Sequence, residues 1–111
     1  MELAEHGLAA DQHQPKAGRK LEKKINNRSA QVGVIGLGYV GLPLAVEMAQ
    51  AGYQVTGIDI DRMRVDSVNS GISYILDVSS ETLAPLVHKG SLRATQSLAA
   101  IEKLDSLSIC V

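Results

Sequence analysis

The sequence predicts an α/β fold in which a parallel sheet is covered by helices. Three observations point to it. From Gln31 onward, short apolar runs alternate with helical stretches, the pattern of βαβ units. The first run, residues 32–35, is apolar almost throughout, as a strand buried on both faces must be. A glycine-rich turn, Gly36-Leu37-Gly38-Tyr39-Val40-Gly41, then separates that run from the first helical stretch.

Each element has its own local reason. Residues 32–35 form the first strand. Residues 40–51 follow as a helix, with Val40, Leu44, Ala45 and Met48 on one face and Glu47 and Gln50 on the other. Proline is tolerated only in the first turn of a helix, so Pro43 places the start near Tyr39 or Val40 and leaves the preceding glycines in the turn. Residues 54–59 are a second strand. Residues 62–69 make a short helix whose Met63 and either Val65 or Val68 face the sheet, ended by Ser70-Gly71. Residues 73–78 read as a loop. Residues 82–89 form a helix closed by Gly90, with Pro85 in its first turn. Residues 92–95 are a short strand, 97–103 a helix or helical turn, and 106–111 a last strand.

Composition sets the outer limits. The chain has 111 residues, 45% hydrophobic and 21% charged, with a net charge of −1, which suits one small globular domain and is too short for a two-domain enzyme. That balance gives no field for gripping nucleic acid, and three tyrosines without Phe or Trp offer few stacking platforms for single strands. No run approaches the roughly 18 apolar residues of a membrane helix. The single cysteine, Cys110, excludes an internal disulfide framework and a multi-ligand zinc site, and the N-terminus lacks the basic and apolar regions of a signal peptide. A reducing cytoplasm is the expected compartment. Residues 1–29, with six Lys or Arg, four acids and no sustained periodicity, read as a disordered or loosely helical polar extension. The folded part, residues 30–111, is mildly acidic.

The chemistry lies in the glycine turn. Gly36, Gly38 and Gly41 have the G-x-G-x-x-G spacing directly after a strand and at the opening of a helix, and Asp59 ends the second strand 18 residues after Gly41. In a dinucleotide site the first glycine permits the tight turn, the second lets the backbone approach a pyrophosphate, and the third lets helix and strand pack closely. The pyrophosphate then rests on free N–H groups at the helix N-terminus. An acid at Asp59 accepts hydrogen bonds from ribose hydroxyls and repels a 2′-phosphate, which favours NAD over NADP. Arg62 and Arg64 are both close enough in sequence to reach a phosphate, so this point stays open here. The competing reading takes the glycines as turn residues and Asp59 as a strand-end acid or helix cap.

Other candidates carry less. Cys110 lies in an apolar strand pattern without a His or cation beside it and reads as an inert buried thiol. His88 stands near a helix C-terminus, while His6 and His13 lie in the extension. Asp59, Asp61 and Asp66 lack the spacing of a calcium loop, so no metal site is expected.

The stretch Val34-Ile35-Gly36-Leu37-Gly38-Tyr39-Val40-Gly41-Leu42-Pro43-Leu44-Ala45, continuing to Gly57-Ile58-Asp59-Ile60-Asp61, closely resembles the N-terminus of the UDP-glucose/GDP-mannose dehydrogenase family of nucleotide-sugar 6-dehydrogenases. Asn69-Ser70-Gly71-Ile72-Ser73-Tyr74-Ile75 and Leu92-Arg93-Ala94-Thr95 are similar to its branch acting on UDP-N-acetylhexosamines. The resemblance covers residues 31–111. It implies a Rossmann-like domain, incomplete here, that binds NAD through Gly36, Leu37, Gly38, Tyr39, Val40 and Gly41, with Asp59 on the ribose and Arg64 near the ribose or phosphate. It also implies oxidation of a sugar C6 alcohol to a carboxylate with two NAD, through a thioester on a cysteine that Cys110 does not match. The catalytic cysteine, its lysine partner, a Pro-Thr-Pro segment and the substrate domain correspond to positions beyond Val111, so no catalytic residue is expected in this span. Where the family often has a glutamate after Tyr-Ile, this chain has Leu76.

The resulting expectation is the cofactor-binding part of a UDP-sugar 6-dehydrogenase of polysaccharide biosynthesis, homo-oligomeric as a whole protein, with the nucleotide sugar held by domains outside this span. The expected sheet order is 3-2-1-4. By itself the span should bind NAD weakly, catalyse nothing, and be unstable or self-associating because residues 106–111 would leave an apolar sheet edge. The alternatives are a stand-alone NAD-sensing module and the cofactor domain of a 3-hydroxyacid dehydrogenase.

Overall fold

The computed structural model describes residues 30–110. The polar extension expected over residues 1–29 lies outside them. The elements are β1 (Gln31–Ile35), α1 (Gly41–Gln50), β2 (Gln54–Ile58), α2 (Arg62–Asn69), α3 (Ser80–His88), β3 (Leu92–Thr95), a 3₁₀ helix (Leu98–Lys103) and β4 (Ser106–Ile109). The four strands make one parallel sheet in the order β3-β2-β1-β4, as expected. Val34 of β1 sits between Gly57 of β2 and Ser108 of β4, so β1 is fully enclosed.

Enclosure explains the residue choices. Val32 and Val34 are buried, and a Cβ on Gly33 would collide with the Leu104 side chain that packs there. In α1 the residues against the sheet include Leu42, Ala45, Val46 and Ala49, spaced i, i+3, i+4 and i+7 along one helical stripe. This corrects the expected face. Val40 lies outside the helix and is exposed, and Met48 is only partly buried, because the helix starts at Gly41 and its stripe is set by Leu42.

Two further expectations change. In α2 both Val65 and Val68 are buried, whereas Met63 is 80% exposed. In α3 the start is Ser80, because Ser79 caps the helix by accepting the Thr82 N–H. Pro85 therefore sits beyond the first turn, where its missing N–H leaves one helical hydrogen bond unmade. β4 ends at Ile109, and the next residue, Cys110, still donates its N–H to the Ile35 carbonyl at 2.7 Å.

A side chain caps the outer edge of β3 at Ala94. Asn69 Nδ2 donates to the Ala94 carbonyl at 2.9 Å, and the Ala94 N–H donates to Asn69 Oδ1 at 2.9 Å. The amide thus occupies both outward-facing backbone groups of Ala94, as a neighbouring strand would.

Candidate functional site

β1 and β2 end together, and the site is built on that shared end. Gly36 leaves β1 with φ of 93° and donates its N–H to the Ile58 carbonyl at 2.8 Å, a conformation that disfavours any residue with a Cβ. The chain then turns inward. The Leu37 side chain is 0% exposed and fills the space above Gly57 of β2, where a Cβ would stand 2.8 Å from its methyl groups. Gly41 opens α1 so close to the turn that a Cβ there would fall on the Gly36 carbonyl. Gly38 faces the other way; a Cβ on it would meet only the Arg64 guanidinium, at 3.6 Å.

The helix start is rich in free donors. Val40 is the N-cap and supplies no side-chain cap, and the Leu42 N–H closes onto the Gly38 carbonyl at 3.1 Å. Among the described residues, the N–H groups of Gly38, Tyr39, Val40 and Gly41 have no protein acceptor. They stand at the positive end of the α1 dipole.

Asp59 follows β2 directly and is 6% exposed. Its Oδ2 accepts the Leu37 N–H at 2.8 Å and Arg64 Nη1 at 3.4 Å, and its Oδ1 accepts the Asp61 N–H at 2.8 Å. Burial pushes this carboxyl up, but the N–H groups of Asp61 and Leu37 and the Arg64 guanidinium outweigh it and hold it below the ordinary carboxylate range. Asp61 caps α2 by accepting the Met63 and Arg64 N–H groups, and its other oxygen lies 3.8 Å from Arg64 Nε. Arg64 in turn lies over the Tyr74 ring, 6.0 Å from its centre. Tyr74 donates its hydroxyl to the Leu37 carbonyl at 2.6 Å.

These groups border a cleft of about 430 Å³, lined by Gly36, Gly38, Asp59 and Arg64 together with Ile35, Ile58, Ile60, Gln96, Leu98 and Cys110. Four of the eight anticipated residues therefore share one cavity. Tyr39 and Val40 are exposed beside it, Leu37 offers only backbone, and Gly41 serves the packing of the helix. The two arginines part company. Arg62 pairs with Asp66 at 3.6 Å on an exposed face, and Arg64 alone reaches Asp59.

Two participants carry no sequence signal of their own. Tyr74 lies in a loop 37 residues from the group it binds. Gln96 holds the other rim through the Ile60 carbonyl at 3.0 Å. Gly57 is legible as a strand glycine, though its need follows only from the volume of Leu37. Cys110 lines the cleft half-buried, and burial pushes its thiol up, away from the thiolate. Among the described residues, no three His, Cys, Asp or Glu side chains converge as metal ligands.

A donor-rich helix start facing a cleft, with a buried acid at the next strand end, fits a dinucleotide. Residues 30–111 match the profile of the UDP-glucose/GDP-mannose dehydrogenase family, NAD binding domain. The chain belongs to this family. Its cofactor is NAD. UDP-N-acetyl-D-mannosamine dehydrogenase of Pyrococcus horikoshii is 33% identical over 82 residues, covering 73% of this chain and 20% of that protein. The solved structure of UDP-D-ManNAc dehydrogenase from Pyrococcus horikoshii superposes with a TM-score of 0.69 at 33% identity, over 73% of this chain and 20% of the other. A crystal structure of a ternary complex of GDP-mannose dehydrogenase from Pseudomonas aeruginosa superposes with a TM-score of 0.68 at 30% identity, over 72% and 19%. The chain spans about a fifth of the length of these dehydrogenase relatives.

Proposed function

We propose that residues 30–111 form the adenosine and pyrophosphate half of the NAD site in a UDP-sugar 6-dehydrogenase, with the sugar and the catalytic groups held elsewhere in the whole protein. The observation that carries this is one cleft lined by both Gly38, whose N–H has no protein acceptor among the described residues, and the buried Asp59, with the free N–H groups of the α1 start next to Gly38 in the chain. The N–H groups of Gly38, Tyr39, Val40 and Gly41 receive pyrophosphate oxygens. Asp59 has about four lone-pair positions and three protein donors, which leaves Oδ1 able to accept a ribose hydroxyl. The N–H groups of Asp61 and Leu37, with Arg64, keep that carboxylate ionised, and the ionised carboxylate repels a 2′-phosphate.

NAD, when bound, would accept the hydride; the whole protein would convert a C6 alcohol, two NAD⁺ and one water into a carboxylate, two NADH and three protons. The relatives' names favour a UDP-N-acetylhexosamine as the sugar nucleotide. We assign the whole protein to the cytoplasm as a homo-oligomer, and among the described residues no helix is long and apolar enough to cross a membrane.

The test is a fluorescence titration of the chain with NADH and with NADPH, for wild type and Asp59→Asn. Wild type is expected to prefer NADH by about tenfold or more, and Asp59→Asn to narrow that preference. Equal affinity of the wild type for the two cofactors overturns the ribose assignment.

A further inference from the structure

Leu37 is held by both of its backbone polar groups, and the two holders come from different parts of the chain. Its N–H is bound by Asp59 at the end of β2, and its carbonyl is bound by the Tyr74 hydroxyl from the loop between α2 and α3. The carbonyl of Leu37 and the N–H of Gly38 belong to one planar trans peptide, in which they point in opposite directions. A hydrogen bond that fixes the Leu37 carbonyl therefore also fixes the direction of the Gly38 N–H. Gly38 lines the cleft, and its N–H has no protein acceptor among the described residues. Glycine at position 38 gives the peptide freedom to rotate, because no Cβ opposes the flipped orientation. Something outside the turn must then choose the orientation.

We propose that Tyr74 is a positioning residue for the cofactor, aiming the Gly38 N–H into the cleft by anchoring the opposite end of the same peptide. It does not touch the cofactor in this role. Its ring also supports Arg64, which stands over Gly38 and pairs with Asp59, so one loop side chain braces the pyrophosphate side and the ribose side of the cleft together. Tyr74 is 36% exposed and outside the main core, and so can be altered without emptying the interior. The role rests on the reading that the glycine turn receives the pyrophosphate.

The experiment compares wild type, Tyr74→Phe and Tyr74→Leu in the full chain. NADH affinity is read by cofactor fluorescence, the thermal midpoint by circular dichroism, and the Gly38 amide by ¹⁵N relaxation dispersion without ligand. Tyr74→Phe keeps the ring over Arg64 and removes only the hydroxyl. It is expected to weaken NADH binding about tenfold, the loss of one hydrogen bond's worth of preorganisation. It is also expected to give the Gly38 amide an exchange contribution absent from wild type, with a thermal midpoint close to wild type. Tyr74→Leu is expected to weaken binding further, through Arg64. A Tyr74→Phe protein that binds NADH like wild type, or whose Gly38 amide shows no new exchange, overturns the role. If wild type binds NADH but Asp59→Asn and Tyr74→Phe both bind equally well, the site assignment falls along with it. If only Asp59→Asn weakens binding, the assignment stands and the role of Tyr74 alone is refuted.

Discussion

The backbone N–H of Leu37 lies 2.8 Å from Asp59 Oδ2, so the acid at the end of β2 is a structural support of the glycine turn as well as a group facing the cleft. Removing the carboxylate has two consequences, and the choice of substitution separates them. Asp59→Ala strands the buried Leu37 N–H, removes the acceptor of the part-buried Asp61 N–H and leaves Arg64 without this partner, at a cost of about 2–4 kcal/mol. Asp59→Asn retains one acceptor oxygen and should cost about half as much. Urea denaturation of the two variants checks the order, and equal losses would show that the turn does not depend on the acid.

Stability should fall at both ends of the pH scale for identifiable reasons. The Asp59 carboxyl is lowered in the folded state, so its contribution is present above the unfolded value, near 3.9, and is lost as pH falls through the lower folded value. Burial pushes the Tyr74 hydroxyl up to about 12, only partly offset by Arg64, from an unfolded value of 10.0. Its contribution is present below the unfolded value and is lost as pH rises through the folded one. Denaturation midpoints across pH should therefore flatten on the acid side in Asp59→Asn and on the alkaline side in Tyr74→Phe. Curves that match wild type in those two windows would refute the linkage.

Gly41→Ala should be the most damaging single methyl group in the domain. The added Cβ meets the Gly36 carbonyl, a backbone atom, so either α1 lifts from the sheet or the turn distorts. The expected loss is about 3 kcal/mol or more, with cofactor binding abolished, because the same turn carries the N–H donors. A stable Gly41→Ala protein with wild-type NADH affinity would contradict this packing.

Leu37 and Gly57 should behave as a coupled pair. Leu37→Ala empties a fully buried site and should cost about 3 kcal/mol, while Gly57→Ala alone crowds the leucine methyl groups. When the two substitutions are combined, the methyl group added at position 57 enters the space that the leucine side chain vacated. A double-mutant cycle should return a favourable coupling on the order of 1–2 kcal/mol, and additive losses would argue against the contact.

Much of this architecture is local enough to be read from the residues. The bounds of α2 and β3 and the turn itself follow from apolar runs, caps and glycine spacing within windows of a dozen residues, whereas the strand order is expected only from the dinucleotide-binding fold that the resemblance implies. The residues mislead where two local signals compete or where one residue's role depends on a distant one. At α3, Pro85 argues for a later start than the Ser79 cap actually sets. At α2, Met63 looks like a sheet-facing residue until the register of Val65 and Val68 turns it outward. Tyr74 and Gly57 depend on Leu37, across 37 and 20 positions, and no periodicity carries such information.

The Asn69 amide on Ala94 guards one edge of the sheet. With the outward backbone groups of Ala94 already matched, an added strand finds no complete template beside β3 and must displace a side chain to dock there. Among the described residues the β4 side has no such guard, and its Ile109 is half exposed. Within the described residues the two edges of the order β3-β2-β1-β4 are therefore unlike, one with a side chain seated on its backbone at Ala94 and the other carrying a half-exposed Ile109.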